Sequence, residues 1–121
     1  MPTAYLHVGM HKTGSTAFQQ WCGRRPFALK AAGLAWPRLP DHNHSSFLEV
    51  QFRRPEEVAD AVRRRGHGAL YRGAEEMRRA FEEDLAQAAG EGRDMILSAE
   101  NLSLFPEDAA RALRDALLVH F

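Results

Sequence analysis

Residues 9–16 read Gly-Met-His-Lys-Thr-Gly-Ser-Thr, a combination of residue types that suits the binding of an anion. They follow a short apolar segment at residues 4–8, which predicts a buried strand, and they precede a helical pattern that begins at Thr16. A glycine-rich turn in this position can expose several backbone N–H groups to a phosphate at the start of the helix. Lys12 would add a positive charge, and the hydroxyl groups of Ser15 and Thr16 could donate to phosphate oxygens. The sequence therefore predicts a phosphate-binding loop between the first strand and the first helix.

This loop differs from the one that nucleotide triphosphatases use. Gly9 and Gly14 have the Walker A spacing, but Ser15 stands where the Walker lysine would be, and the lysine lies earlier, at Lys12. The second apolar segment, residues 95–97, runs into Ser-Ala-Glu-Asn and not into the aspartate that helps to hold magnesium. These departures disfavour a small P-loop kinase. They indicate a donor whose transferred group carries less charge than a γ-phosphate.

Four segments of the chain resemble the sulfotransferases that use 3′-phosphoadenosine 5′-phosphosulfate (PAPS), especially the bacterial and carbohydrate-acting branches. Residues 5–16 resemble the family's 5′-phosphosulfate loop, in which Lys-Thr-Gly-Ser/Thr-Thr follows a strand. The other likenesses are Gly-Leu-Ala-Trp-Pro at residues 33–37, Asn-His at 43–44 and Leu-Ser-Ala-Glu-Asn-Leu at 97–102. They occur in the order that the family has, and their order and spacing extend over nearly the whole chain.

The resemblance implies an α/β, P-loop-like three-layer fold and transfer of a sulfuryl group from PAPS to an acceptor hydroxyl or amine, with no metal. Lys12 would neutralise the leaving phosphate oxygen, and the start of the first helix would stabilise the charge that accumulates there. The donor-binding residues implied are His11, Lys12, Thr13, Gly14, Ser15, Thr16 and Ser98.

The acceptor also needs a base, and two residues are candidates. His44 resembles the catalytic histidine segment of uronosyl 2-O-sulfotransferases and would be neutral near pH 7, which gives it a slight preference. Glu100 follows the strand at residues 95–97, where open α/β sheets place their ligands, and it resembles the glutamate bases of other sulfotransferases. His42 and His44 could instead lie in a solvated loop or form a metal pair, although a third clear ligand is missing. Glu100 could simply cap the segment after its strand.

The elements that must position these residues alternate along the chain, as in an α/β layer around a short parallel sheet. Strands are predicted at residues 4–8, 34–36 and 95–97, and helical segments at residues 16–25, 27–32, 47–52, 55–66, 75–89 and 106–121. We expect a single domain over residues 1–121. We also expect it to be the N-terminal part of a longer protein, because the Arg and Ser that bind the donor's 3′-phosphate in the family have no counterpart after Leu118. Phe18 and Trp36 could form a platform for the acceptor, but the prediction is that they pack in the core.

The composition of the 121 residues, 45% hydrophobic and 26% charged with 16 basic and 16 acidic side chains, is typical of one soluble globular domain. A net charge of zero argues against nucleic acid as a partner, because phosphate neutralisation needs a clustered basic excess. The single cysteine, Cys22, cannot form an intramolecular disulfide and fits a reducing compartment. No signal peptide or membrane-spanning segment is evident, so we expect a cytoplasmic location.

The predicted partners are a nucleotide donor and a hydroxyl- or amine-bearing acceptor. A different class of function stays open at this level. The chain could be a non-catalytic domain that binds a nucleotide or another anion, or a fragment that needs a complementary chain.

Overall fold

The computed structural model describes residues 1–9, 15–39, 41–54 and 73–121. In the described part of the chain two helices lie between each strand and the next, and one short 3-10 helix lies between the last strand and the last helix. In chain order the elements are β1 (Ala4–His7), α1 (Ser15–Gly23), α2 (Pro26–Ala31), β2 (Leu34–Ala35), α3 (Ser45–Phe52), α4 (Ala74–Gly90), β3 (Asp94–Ser98), the 3-10 helix (Glu100–Leu104) and α5 (Glu107–Leu118).

The three strands form one parallel sheet in the order β1-β3-β2, so the chain belongs to the mixed α/β class. β1 pairs with β3 from Ala4 opposite Met95 to His7 opposite Ser98. β2 pairs with the amino-terminal end of β3 and confirms the third predicted strand, although it ends at Ala35 and not at Trp36. Because the sheet is parallel, β1 and β3 end at the same edge. We call this the carboxyl edge of the sheet.

Helix α4 covers the sheet with the apolar stripe that its sequence predicts. Phe81, Leu85 and Ala88 recur at spacings of four and three, and all three are buried against a core that includes Leu97 of β3. The ring of Phe81 meets that of Phe47 in α3 edge to face, with ring centroids 5.3 Å apart. Apolar residues of β3, α3 and α5 complete this core: Met95, Leu48, Leu113 and Leu117.

Most helix predictions are confirmed, with ends that differ by at most three residues. The apolar pattern predicts that a helix exists, whereas its first and last residues are less strongly determined by the pattern. Pro106 illustrates this, because it is the N-cap of α5 and not the first helical residue. The helix predicted at residues 55–66 lies outside the described residues. The 3-10 helix was not predicted from the sequence.

No helix in the described ranges is both long and apolar enough to cross a lipid bilayer.

Candidate functional site

The carboxyl edge of the sheet brings together the two segments that the sequence marks for chemistry. His7 ends β1 and Ser98 ends β3, and the two are directly paired in the parallel register. β1 then turns at Gly9, whose φ of 49° lies in the left-handed region that favours glycine, toward the predicted phosphate-binding loop. β3 leads into Glu100. Ligands of open α/β sheets bind outside the carboxyl ends of strands, so this edge is the candidate site.

Ser98 is the centre of a hydrogen-bond network at this edge. Its side chain is completely buried, and its Oγ lies 2.8 Å from Nδ1 of His7 and 3.0 Å from Nε2 of Gln19. An amide nitrogen can only donate, so Oγ accepts from Gln19, and toward Nδ1 of His7 the hydroxyl donates or accepts according to the tautomer of that ring. The network therefore ties β3 to the neighbouring strand and to α1.

His44 is held by the backbone of the same serine. The Ser98 amide donates to Nδ1 of His44 over 3.1 Å, and the His44 amide donates to the Ser98 carbonyl oxygen over 2.9 Å. Because Nδ1 accepts a hydrogen bond, the neutral ring carries its proton on Nε2. The side chain is completely buried, and Nε2 has no hydrogen-bond partner among the described residues.

The electrostatic surroundings keep His44 neutral. Desolvation by burial lowers its pKa to about 4; Asp41 nearby opposes this shift, and His42 adds to it. Near pH 7 His44 therefore offers the site a neutral N–H donor.

An aromatic row, made of His7, Phe18, Trp36 and His44, lies beside the network. Ring centroids are 4.5 Å apart for His7 and Phe18, 6.2 Å for Phe18 and Trp36, and 4.5 Å for Trp36 and His44. Phe18 is 38% exposed and Trp36 is half-buried, whereas the sequence predicted that both would pack in the core. The row joins the two histidines that Ser98 holds.

Several residues of the predicted donor-binding loop lie outside the described residues. They are His11, Lys12, Thr13 and Gly14, and their predicted roles stay predictions. Ser15 begins α1, and Thr16 is exposed in its first turn. Phe18 and Gln19, in the middle of α1, reach His7 and Ser98, so the middle of this helix lies at the carboxyl edge.

The remaining predicted residues lie close together. Ser98 and His44 are in direct contact, and Glu100 stands two residues beyond Ser98, half-buried at the start of the 3-10 helix. The Asn101 amide donates to Oγ of Ser45 over 3.1 Å, which fixes this short helix against α3. Glu100 and His44, the two candidate bases, thus both lie near the end of β3.

Two residues of the network were not singled out from the sequence. His7 is a polar residue at the end of an apolar strand, and Gln19 is a polar residue three positions before Cys22 on the buried side of α1. A polar side chain on an otherwise apolar face was the available signal for both. Burial also raises the pKa of the Cys22 thiol, which agrees with the inert structural role expected of it.

Within the part of the chain that is described, no group of three or more His, Cys, Asp or Glu side chains is placed to hold a metal ion. No family model matches the chain, and neither the curated proteins nor the solved structures contain a match to it.

Proposed function

We propose that this chain is a P-loop-like domain of a PAPS-dependent sulfotransferase, which transfers a sulfuryl group to an acceptor hydroxyl or amine. The observation that carries the proposal is the pairing of His7 with Ser98. It brings the end of the loop-bearing strand and the start of the Ser-Ala-Glu-Asn segment to one edge of a parallel sheet. Gln19 of α1 reaches Ser98 at the same edge, so the helix that follows the loop is part of the arrangement.

The local backbone supports anion binding at this edge. Gly9, two residues after the end of β1, adopts a left-handed conformation, which suits a tight turn into a phosphate-binding loop. α1 then starts at Ser15, and its first N–H groups have no partner within the helix. Unpaired N–H groups and the helix dipole both favour an anion at a helix start. In the proposed site, Lys12 adds the positive charge.

In the transfer, the acceptor oxygen or nitrogen forms a bond to sulfur while the bond between sulfur and the 5′-phosphate oxygen breaks. The electron pair of that bond stays on the phosphate oxygen, where Lys12 and the start of α1 stabilise the new charge. The acceptor proton passes to a base. Positioning and electrostatic stabilisation therefore account for most of the rate enhancement.

The geometry favours Glu100 over His44 as that base. Nδ1 of His44 is occupied by the Ser98 amide, and Nε2 then carries the proton of the neutral ring, so the ring acts as a donor in this arrangement. Glu100 is half-buried just beyond the carboxyl end of β3 and accepts protons as a carboxylate.

Titration calorimetry with adenosine 3′,5′-bisphosphate, ATP and sulfate tests the proposal. We expect the bisphosphate to bind most tightly. Lys12→Ala should weaken its binding at least about tenfold, because a hydrogen bond to a charged group contributes about 1.5–3 kcal/mol. Lys30→Ala is the matched control, since Lys30 is the only other lysine and is exposed on α2.

Each other result has a clear meaning. Tight, magnesium-dependent ATP binding would indicate a kinase. Equal affinity of wild type and Lys12→Ala for the bisphosphate would contradict the assigned loop. Bisphosphate binding without sulfuryl transfer from PAPS would indicate the non-catalytic, anion-binding alternative.

A further inference from the structure

The outer edge of β1 carries backbone groups that have no partner in the sheet. β1 lies at one end of the three described strands, so β3 is its neighbour on one side only. The carbonyl oxygens of Thr3 and His7 accept hydrogen bonds from backbone amides in β3 and just beyond it, over 2.9 Å and 3.0 Å. Successive residues of a strand point their backbone groups to opposite sides, so those of Ala4 and Leu6 face away from β3. They make no hydrogen bond within the described residues.

β1 also lacks the side chains that commonly protect the edge of a sheet. Natural edge strands often carry charged residues or proline, which discourage pairing with another strand. The four residues of β1, Ala-Tyr-Leu-His, include no proline and no Lys, Arg, Asp or Glu. Tyr5 is 53% exposed and Leu6 is 44% exposed. An unpaired edge with exposed apolar side chains is suited to accept a further strand.

A cavity of about 420 Å³ borders this edge. Ala4 and Leu6 line it from β1. The residues that line it from α5 include Ala110, Arg114 and Leu118, which are spaced by four and therefore form one row along the helix. We call the space between these five residues the β1 groove. A strand that pairs with β1 in this groove would place every second side chain on the face of the sheet that α5 covers.

Arg114 determines the charge of the β1 groove. It is the only ionisable side chain among the described residues that line the cavity. Nε and Nη2 donate to Oδ1 of Asp115 over 3.0 Å and 2.7 Å, whereas Nη1 makes no hydrogen bond within the described ranges and can donate to a further carboxylate. A second copy of the chain would bring a second Arg114 to the groove, because a two-fold dimer pairs a surface with itself. An acidic strand is therefore the complementary occupant.

We propose that the β1 groove binds an extended strand of a separate protein chain, which joins the sheet beside β1. The backbone groups of Ala4 and Leu6 bond to the incoming strand, its apolar side chains pack against α5, and one acidic side chain pairs with Arg114. In this mode of recognition the main-chain bonds supply affinity and the alternate side chains supply specificity. The β1 groove shares no residue with the network at the carboxyl edge, so the inference does not rest on the proposed function.

The first experiment measures amide hydrogen exchange in the free wild-type protein by NMR. The amides of Tyr5 and His7 face β3 and should exchange slowly. The amides of Ala4 and Leu6 face the groove and should exchange rapidly. Slow exchange of all four amides in the free monomer would mean that the edge is already paired, and would overturn the inference.

The second experiment selects binders from a phage-displayed library of random peptides about ten residues long, the upper length of ordinary strands. The selected peptides should carry apolar residues at alternate positions and at least one Asp or Glu. Their binding should slow the exchange of the Ala4 and Leu6 amides in the wild type. This readout needs no variant, so it holds even where a substitution impairs folding.

Ala4→Pro tests the backbone bonds to the selected peptides. The proline ring removes an N–H that faces away from β3, a position where edge strands tolerate proline. Calorimetry should show that it weakens peptide binding about tenfold or more, since it removes one bond and its ring obstructs the incoming strand. Slow exchange of the Tyr5 and His7 amides in the variant would show that its sheet is intact.

The acidic residue of the peptide is tested together with Arg114. Replacing that residue by its amide should weaken binding to the wild type about two- to fivefold, as expected for an exposed ion pair. The same replacement should have no effect on binding to Arg114→Gln. Arg111→Gln is the matched control, since Arg111 lies on α5, pairs with Glu107 and does not line the cavity. It should respond like the wild type.

Every other outcome counts against the inference. A peptide that binds without slowing exchange at Ala4 and Leu6 occupies another surface, and a selection that yields no binder leaves the groove without a ligand. A wild-type dimer that Ala4→Pro abolishes would identify a second copy as the occupant. Protection of the same two amides by a later segment, in a longer version of the chain, would assign the edge to the chain itself. None of these results changes the expected binding of the bisphosphate, so the proposed function is tested separately.

Discussion

Acidification should lower the free energy of unfolding of this protein, because the ring of His44 is buried in the folded state. Burial lowers the pKa of His44 from 6.5 to about 4 in the folded protein. In the unfolded chain the ring regains water and an ordinary pKa. Between these values the unfolded state binds a proton that the folded state does not. The free energy of unfolding therefore falls as the pH falls from 6.5 toward 4.

The size of the effect follows from the same two pKa values. The fall in the His44 pKa from 6.5 to about 4 lowers the free energy of unfolding by about 3 kcal/mol once the pH is below both values, at about 1.4 kcal/mol per pKa unit. About 2 kcal/mol of this should be lost between pH 7 and pH 5, because the unfolded ring is almost fully protonated at pH 5. That is a large share of the stability of a small domain.

Urea unfolding of the wild type and of His44→Asn, at pH 7 and at pH 5, measures this contribution. The asparagine Oδ1 can accept from the Ser98 amide where Nδ1 does now, and it does not titrate. Loss of the ring against Trp36 costs the same at both pH values, and titration of the other side chains is common to both proteins. The advantage of the wild type over the variant should shrink by about 2 kcal/mol at pH 5. A difference that is the same at both pH values would refute the reasoning.

Two further substitutions test packing and an ion pair by urea or thermal unfolding. Gly23→Ala should destabilise the protein by about 1–3 kcal/mol, because a Cβ there would lie too close to the ring of His42. Gly90→Ala is the control and should leave the free energy of unfolding unchanged, since a Cβ there meets open space. Equal effects of the two substitutions would contradict this reasoning. Asp84→Ala should cost about 1–2 kcal/mol, since Asp84 accepts from the backbone and the guanidinium of Arg38. Arg38→Ala should cost less stability, because that side chain is 76% exposed and the hydrogen bond from the Arg38 backbone amide to Asp84 remains. A larger loss of stability in Arg38→Ala than in Asp84→Ala would contradict this prediction.

The alternation of elements could be predicted from the sequence because periodicity is a local property. The apolar stripe of α4 and the compact run in β3 stand out in a single pass along the chain, and both occur where the pattern places them. The loop at residues 9–16 was equally visible, since its residue types and spacing are contiguous. The 3-10 helix was not visible, because the Asn101 amide that anchors it bonds to a side chain of α3 far away in the sequence.

The roles at the carboxyl edge depend on contacts between residues that are distant in the chain. Sequence alone marked His44 and Ser98, and it gave His44 the character of a base. Only the fold brings the Ser98 amide to Nδ1 of His44, and this hydrogen bond places the proton of the neutral ring on Nε2. A tautomer depends on the partner of each nitrogen, and the partner of Nδ1 of His44 lies 54 residues away along the chain. The sequence therefore identified His44 as a candidate residue, whereas the fold decided which of its nitrogens carries the proton and how its ring is oriented.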